Sequence, residues 1–517
     1  MNRTSMLQRM RDETSPWDVL VIGGGATGLG TALDAATRGY RTLLLEQGDF
    51  AQGTSSRSTK LIHGGLRYLQ QGDFGMVRES LRERGRLVRN APHLVHPLEI
   101  VIPHEAWWHR PYYGLGLKCY DVLAGRLGLG GSRHLGPAEV CERMPTLVPT
   151  RLRGGTLFLD GQFDDARLAL VLAQSVADHQ GVVLNGMKVT SLSRRNDLID
   201  GVQAVEVDSG QEKEIRARVV INATGVFSDA IRKMADPHAE KLLSVSQGAH
   251  VVLDEAFLPG RTALMVPRTD DGRVLFAIPW LGRVLVGTTD TAMTSVENEP
   301  RPLREEVEFL LHHVARYLVR PPGMNDVLSA FAGLRPLVGS ISGRSTASLS
   351  RRHFLEVDRS GLVTITGGKW TTYRQMAEEA VDRAAEVGQL PKAPCVTHDL
   401  RLHGWCRENA GEFAEYGADA PEVARCCREE SGGEVRLHPA LNYRQGEVRW
   451  AARHTMPLTL EDMLSRRLRA LMLDAQASME IAQKVVAILA EELGKSPEWE
   501  QEQLSDFNRL ARGYLVS

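Results

Sequence analysis

The chain has 517 residues, 62 basic and 64 acidic side chains, a net charge of −2 and 43% hydrophobic residues. That apolar content excludes global disorder, and so close a charge balance gives no footprint for nucleic-acid binding, so any anion site has to be a local cluster. Six cysteines (Cys119, Cys141, Cys395, Cys406, Cys426 and Cys427), none in a C-x-x-C pair, exclude a disulfide framework and fit free thiols in a reducing compartment.

Met1 to Pro16 reads as a polar tail with Arg3, Arg9 and Arg11 and without the apolar core of a signal peptide. No apolar run approaches ~18 residues, so the expectation is a soluble or membrane-surface protein. Asp18-Val-Leu-Val-Ile22 predicts a buried strand that ends in Gly23-Gly24-Gly25. Leu29, Ala32, Leu33 and Ala36 recur at helical spacing, Gly39 stops that helix, and Thr42-Leu-Leu-Leu45 is a second strand closed by Glu46. Strand, glycine turn, helix and strand make a βαβ unit with a parallel sheet. A further strand at 216–222 runs into Ala223-Thr224-Gly225. Short apolar strands at 250–253, 274–278 and 284–286, separated by Gly, Pro and Asp turns, predict antiparallel sheet. A strand pattern returns at 362–366, and Gly367-Gly368 opens a helix over 371–387. After 394 helical periodicity dominates, as at 463–473 and 481–493.

The expected architecture is α/β. It comprises a tail (1–16), a Rossmann-like nucleotide-binding domain in three segments (17–100, 151–245 and 331–393), a connecting segment (101–150), an antiparallel β substrate domain (246–330) and a helical C-terminal domain (394–517).

The first chemical motif is Gly23-x-Gly25-x-x-Gly28 between strand and helix, with Gly24 inside the turn. The first glycine permits the turn, the second admits a pyrophosphate, and the third lets helix and strand pack. The helix N-terminus offers free N–H groups to the phosphates. Glu46 is placed to accept from a ribose 2′-OH, which argues against a 2′-phosphate and so against NADP. FAD and NAD share this fingerprint. The hydroxyl-rich loop Thr54 to Tyr68 can bond a second phosphate and, at Gly64-Gly65, let a flat ring lie against the backbone.

That loop, Ser55-Ser-x-Ser58-x-Lys60-Leu61-Ile-His63-Gly64-Gly65-Leu-Arg67-Tyr68-Leu, resembles the flavin-contacting segment of the FAD-dependent glycerol-3-phosphate dehydrogenases. Further similar segments follow in the same order: Phe163-Asp-Asp-Ala-Arg-Leu168, Asn222-Ala-Thr-Gly225, Gly248-Ala-His250, Ile278-Pro-Trp280, Gly287-Thr-Thr-Asp290, Gly333-Leu-Arg-Pro336 and Gly367-Gly-Lys-Trp-Thr-Thr-Tyr373. The resemblance is dense from 17 to 376 and looser beyond, where Thr459-Leu-Glu-Asp-Met-Leu464 precedes Arg466-Arg467.

The resemblance implies a fold akin to D-amino-acid and glycine oxidases, with FAD bound non-covalently. It implies cofactor contacts at Thr54, Ser55, Ser58, Lys60, Leu61, His63, Gly64 and Gly65, at Ala223, Thr224 and Gly225, and at Gly368, Thr371 and Thr372, beside the Gly23–Gly28 turn and Glu46. Arg67, Tyr68, Arg335, Arg351 and Lys369 would hold glycerol 3-phosphate, with Arg352 an alternative to Arg351. His250, Arg335 and Lys369 would carry catalysis, His250 taking the hydroxyl proton while the C2 hydride passes to flavin N5. The implied electron acceptor is a quinone, with oxygen the alternative. An amine or amino-acid oxidase and a flavoprotein without turnover are the other readings. No zinc, calcium or iron–sulfur spacing appears, and neither an EF-hand loop nor a transit-like leader is seen, which resembles the bacterial form. Trp107, Trp108, Tyr112, Tyr113, Leu115, Leu117 and Tyr120, interleaved with His109, Arg110, Lys118 and Arg126, suit a bilayer headgroup boundary. The expected location is the inner face of the cell membrane, and a homodimer is left open.

Overall fold

The structure is a computed structural model that describes residues 1–70, 72–339, 352–407 and 411–516. Its first sheet has the order His353–Val357, Val363–Gly367, Glu212–Asn222, Trp17–Ile22, Thr42–Leu45 and Val182–Leu184. The pairings from Val363–Gly367 to Val182–Leu184 are all parallel. Val19, Leu20, Val21, Leu43 and Leu44 have no exposed surface, as expected for short apolar strands covered on both faces. Helix Ala26–Thr37 follows the first strand and packs against Tyr373–Val387.

The second sheet is largely antiparallel and ten-stranded. Its strands extend beyond the stretch 246–330. Leu61–Ile62, Val95–Pro103 and Gly155–Phe163 belong to it, and Val327–Val338 pairs with Leu243–Asp254 along nearly its whole length. One pairing, Thr262–Val266 with Val95–Pro103, is parallel. An apolar run announces a strand but not its partner. Non-local hydrogen bonding decides membership, so the chain divisions at 151 and 331 do not mark where this sheet stops.

Two local expectations are corrected. The polar tail is a helix, Arg3–Asp12, because Met6 and Met10 stand one turn apart and both bury; Asn2 caps it through the Ser5 N–H. The stretch 463–473 is not one α-helix. It divides into a π-helical turn, Asp462–Arg467, and a short helix, Ala470–Leu473, with Arg469 between them in the left-handed region (φ 60°). Buried ion pairs made by the intervening arginines override helical propensity there.

The C-terminal unit is otherwise mostly helical, with one two-stranded antiparallel sheet, Arg436–His438 with Leu441–Arg444, and its core around Ala475–Leu493 is continuous with Val252, Trp280, Leu285 and Phe331 of the second sheet. His403 ties this unit to the nucleotide-binding half. Its Nδ1 meets Asp178 at 2.8 Å, at the end of helix Asp165–Asp178, and its Nε2 meets Asp419 at 3.0 Å, just before helix Ala420–Glu429. Burial opposes the charge, but the two carboxylates outweigh it and hold the imidazole at about 9. A folded pKa raised above 6.5 contributes stability that is complete below pH 6.5 and is lost as pH rises through about 9. His403→Ala is therefore expected to lose about 2 kcal/mol at pH 6 and little in more alkaline buffer. Urea denaturation of both proteins at acid and alkaline pH checks this, and a gap independent of pH would refute the clamp.

Candidate active site

A cavity of about 970 Å³ lies between the two sheets. Gly23, Glu46 and Ala223 on its wall follow the carboxyl ends of parallel strands and Gly367 ends one, where open α/β sheets bind ligands. Gly23 has φ 111°, and a Cβ there would stand 2.7 Å from the Ala223 carbonyl oxygen. A Cβ on Gly28 would stand 1.9 Å from the Gly23 carbonyl oxygen, so the third glycine lets the helix close on the turn. Gly25, Ala26 and Thr27 line the cavity at the N-terminus of Ala26–Thr37, where Ser55 Oγ accepts the Ala26 N–H at 2.9 Å. Glu46 accepts the Gly24 N–H at 2.6 Å and the Gly48 N–H at 2.8 Å. Burial pushes its carboxyl up, against those two donors.

The sheet register places the candidate reactive side chains. Ser246 stands opposite Arg335, Gly248 opposite Gly333, and His250 opposite Phe331. With a side-chain period of two, these residues share one face, and Gly248, His250, Gly333 and Arg335 line the cavity. Gly248 leaves room for the Arg335 guanidinium in this position, since a Cβ there would meet its NH2 at 2.1 Å. Arg335 donates to Thr289 O at 3.0 Å and Thr288 Oγ1 at 2.9 Å, and pairs with Asp290 at 3.4 Å. The segment Gly287-Thr-Thr-Asp290 thus aims the arginine. His250 is 2% exposed and stacks on Phe331 with centroids 5.0 Å apart. Its Nε2 contacts Thr59 Oγ1 at 2.9 Å. Burial, then Lys60 and Arg335, hold its pKa well below 6.5, so the ring is uncharged at neutral pH.

Lys369 also lines the cavity, its Nζ 3.8 Å from the Tyr68 ring centroid and 3.4 Å from Ser80 Oγ. Tyr68, His63, Gly65 and Leu61 stand on the wall, as do Thr54, Ser55 and Ser58. Thr224, Gly225, Gly368 and Thr371 complete the expected set there. Five expected contacts are not on the wall. Gly24 and Gly28 shape the turn, the Gly64 N–H donates to the Tyr120 hydroxyl at 2.8 Å, and Thr372 Oγ1 donates to the Lys369 carbonyl. Lys60 is the clearest correction: its backbone is left-handed (φ 61°) and its Nζ turns inward to Asp165 at 2.7 Å and Ser56 O at 2.8 Å. Arg351 and the Arg67 side chain lie outside the described residues. Arg352 lines the cavity and pairs with Asp73 at 3.1 Å.

Sequence reasoning passed over Thr59, Phe331 and Trp370, whose Nε1 donates to Ser55 O at 2.9 Å. Thr59 and Trp370 stand inside quoted motifs, and Phe331 shares the period-two face of Arg335, so the signals were present.

Residues 18–374 match the family described as FAD dependent oxidoreductase. Residues 362–503 match the C-terminal domain of alpha-glycerophosphate oxidase. The mitochondrial glycerol-3-phosphate dehydrogenase of Homo sapiens is 40% identical over 529 residues, covering 95% of this chain and 72% of its own. That of Arabidopsis thaliana is 42% identical over 525 residues, covering 93% and 83%. The chain belongs to the FAD-dependent glycerol-3-phosphate dehydrogenase family. The Bacillus halodurans glycerol-3-phosphate dehydrogenase complexed with FAD aligns at TM-score 0.80 and 28% identity, over 99% of this chain and 97% of that one. L-alpha-glycerophosphate oxidase from Mycoplasma pneumoniae shares the fold at TM-score 0.57 and 19% identity, over 74% of this chain and 97% of its own. FAD is the family's cofactor, and the residues of this dehydrogenase fit it. The Gly23–Gly28 turn and helix N-terminus would hold the pyrophosphate, Glu46 the ribose, and the Gly65, Gly368 and Thr371 wall the flavin ring.

Proposed function

We propose that the protein oxidises sn-glycerol 3-phosphate to dihydroxyacetone phosphate and passes the electrons to a quinone at a bilayer surface. The observation that carries this reading is an uncharged, buried imidazole, His250, on the same cavity-facing strand pair as the guanidinium of Arg335, with the Lys369 ammonium on the wall of the same cavity. FAD, when bound, supplies the two-electron acceptor for the hydride leaving C2. His250 takes the hydroxyl proton, its ring fixed by Phe331 and by Thr59 at Nε2. Arg335 and Lys369 bind the phosphorylated substrate and hold C2 in place through remote binding energy. Two cations suit a phosphate dianion better than the zwitterion an amino-acid oxidase takes.

Oxygen is the second reading for the acceptor, favoured by the match of 362–503 to an oxidase's C-terminal domain. One assay tests both. Anaerobic glycerol 3-phosphate is expected to bleach the flavin absorbance, and a quinone analogue to restore it faster than oxygen. Faster recovery with oxygen would overturn the quinone assignment, and absence of bleaching would overturn the function.

The membrane reading rests on helix His109–Ala124 and the residues before it. Trp107 is 81% exposed, Leu115 78% and Val122 80%, with Trp108 and Tyr112 about half exposed, while Leu117, Tyr120 and Ala124 face inward. Trp107, Trp108, Tyr112, Leu115 and Val122 are not packed on the protein's own core. Among the described residues no helix is long and apolar enough to cross a membrane. A surface-lying amphipathic helix is the arrangement these residues support, on the inner face of the cell membrane. Trp107→Ser/Trp108→Ser is expected to float far less with phosphatidylethanolamine–phosphatidylglycerol vesicles than wild type; equal flotation would discard this segment as the anchor.

A further inference from the structure

The C-terminal unit places none of its described residues on the cavity wall, yet it sends three buried arginines into the loops that form that wall. Arg466 Nε contacts Asp49 Oδ2 at 2.5 Å, Arg467 NH1 pairs with the same oxygen, and Arg467 NH2 donates to Asp49 Oδ1 at 2.9 Å. Burial opposes ionisation of Asp49, but Arg467 and Arg466 overcome it and hold the carboxyl below its usual range. Arg466 also reaches Glu461 at 2.8 Å. Asp49 belongs to the loop between Thr42–Leu45 and residue 54, which contributes Gln47, Ala51, Gln52 and Gly53 to the wall.

Arg469 grips the next loop. Its NH2 donates to Ser56 O at 2.9 Å and to Asp165 Oδ1 at 3.0 Å. Asp165 Oδ2 in turn receives Lys60 Nζ at 2.7 Å, Ser58 Oγ at 2.7 Å and the Ser58 N–H at 3.0 Å. Thr54, Ser55, Arg57 and Ser58 of that loop stand on the wall. In a regular α-helix neighbouring side chains splay by about 100°, so 466, 467 and 469 could not reach one side. The π-helical turn Asp462–Arg467 and the left-handed Arg469 redirect them. Both are costly backbone states that recur at functional sites.

We propose that residues 462–469 form a cofactor-retention clamp: Arg466 and Arg467 through Asp49, and Arg469 through Asp165 and the Ser56 carbonyl, lock the two loops over the bound dinucleotide. The clamp lets one unit control how long FAD stays without touching the reacting atoms.

The test follows FAD release from the holoenzyme after dilution, by recovery of free-flavin fluorescence, together with backbone hydrogen exchange of peptides within 47–60. Arg469→Gln removes the charged donations to Ser56 O and Asp165, together with the contacts to Ser465 O and Asp164, and is expected to release FAD about 10- to 100-fold faster, with exchange rising in those peptides. Arg469→Lys keeps the charge but not the fork, so its rate falls between, and it stands in if the glutamine variant does not fold. Leu489→Ala opens a cavity in the core of the same unit and is the control for general destabilisation. It is expected to lower the melting temperature while releasing FAD near the wild-type rate. Wild-type release from the Arg469 variants, or release from Leu489→Ala as fast as from Arg469→Gln, would overturn the clamp.

Discussion

Arg335→Lys is expected to lower kcat/KM for glycerol 3-phosphate by about 10²- to 10⁴-fold, the loss of two charge-assisted hydrogen bonds at roughly 1.5–3 kcal/mol each. The guanidinium is held as a fork, NH1 on Thr289 O and NH2 on Thr288 Oγ1, with Gly248 beneath it in place of a side chain. An ammonium cannot occupy both arms of that frame and still present further coplanar N–H donors to a dianion. Glycerol lacks the dianion, so the wild-type protein should prefer the phosphorylated substrate by on the order of a thousandfold, and the variant should narrow that ratio. Stopped-flow bleaching of the flavin with both substrates measures it. Similar efficiency for glycerol and its phosphate in the wild type would remove the phosphate pocket, and the assigned function with it.

Gly28→Ala is expected to yield protein that is nearly colourless. The added Cβ would stand 1.9 Å from the carbonyl oxygen of Gly23, and a backbone oxygen inside the phosphate turn cannot swing aside as a side-chain tip can. Overpacking of this kind costs about 1–3 kcal/mol, which appears as an FAD affinity weaker by about 10- to 100-fold because the turn that shifts is the turn that binds. At Gly25 the new Cβ would meet only Ser55 Oγ, at 3.1 Å, so that position limits the space left for ligand rather than closure of the turn. Flavin content, from the visible-to-ultraviolet absorbance ratio and from acid release, checks the result. Full loading of Gly28→Ala would mean that the turn tolerates displacement and that the glycine has another reason.

The βαβ unit, its glycine turn and Glu46 were legible because each depends on residues close in the chain. An apolar run of four to six residues, a helical repeat and a positive φ are local properties, and their order alone specifies a parallel unit with a phosphate turn. The hydroxyl-rich loop was legible as a cofactor wall, but the direction of each side chain in it was not. Lys60 stands between Thr59 and Leu61, which both line the cavity, yet a left-handed backbone and the distant Asp165 turn it into the interior.

Sheet membership and the C-terminal turn mark the other boundary. The sequence reading places no strand at Val95–Pro103 or Gly155–Phe163, and hydrogen bonding across the sheet assigns both to the antiparallel layer. His250 and Arg335 could be named from their motifs. That they share one cavity-facing side follows from the register Ser246–Arg335 and His250–Phe331, a pairing that no local signal encodes. The period at 463–473 is helical, and the helix becomes a π-turn and breaks at Arg469 where Arg466, Arg467 and Arg469 pair with Asp49 and Asp165. The sequence by itself determined the nucleotide-binding unit, which resides in short-range geometry, and offered the candidate reactive residues only through the family motifs it resembles. Only the tertiary structure decided which side chains face the cavity and what holds its loops, since those depend on partners far along the chain whose attraction outweighs local preference.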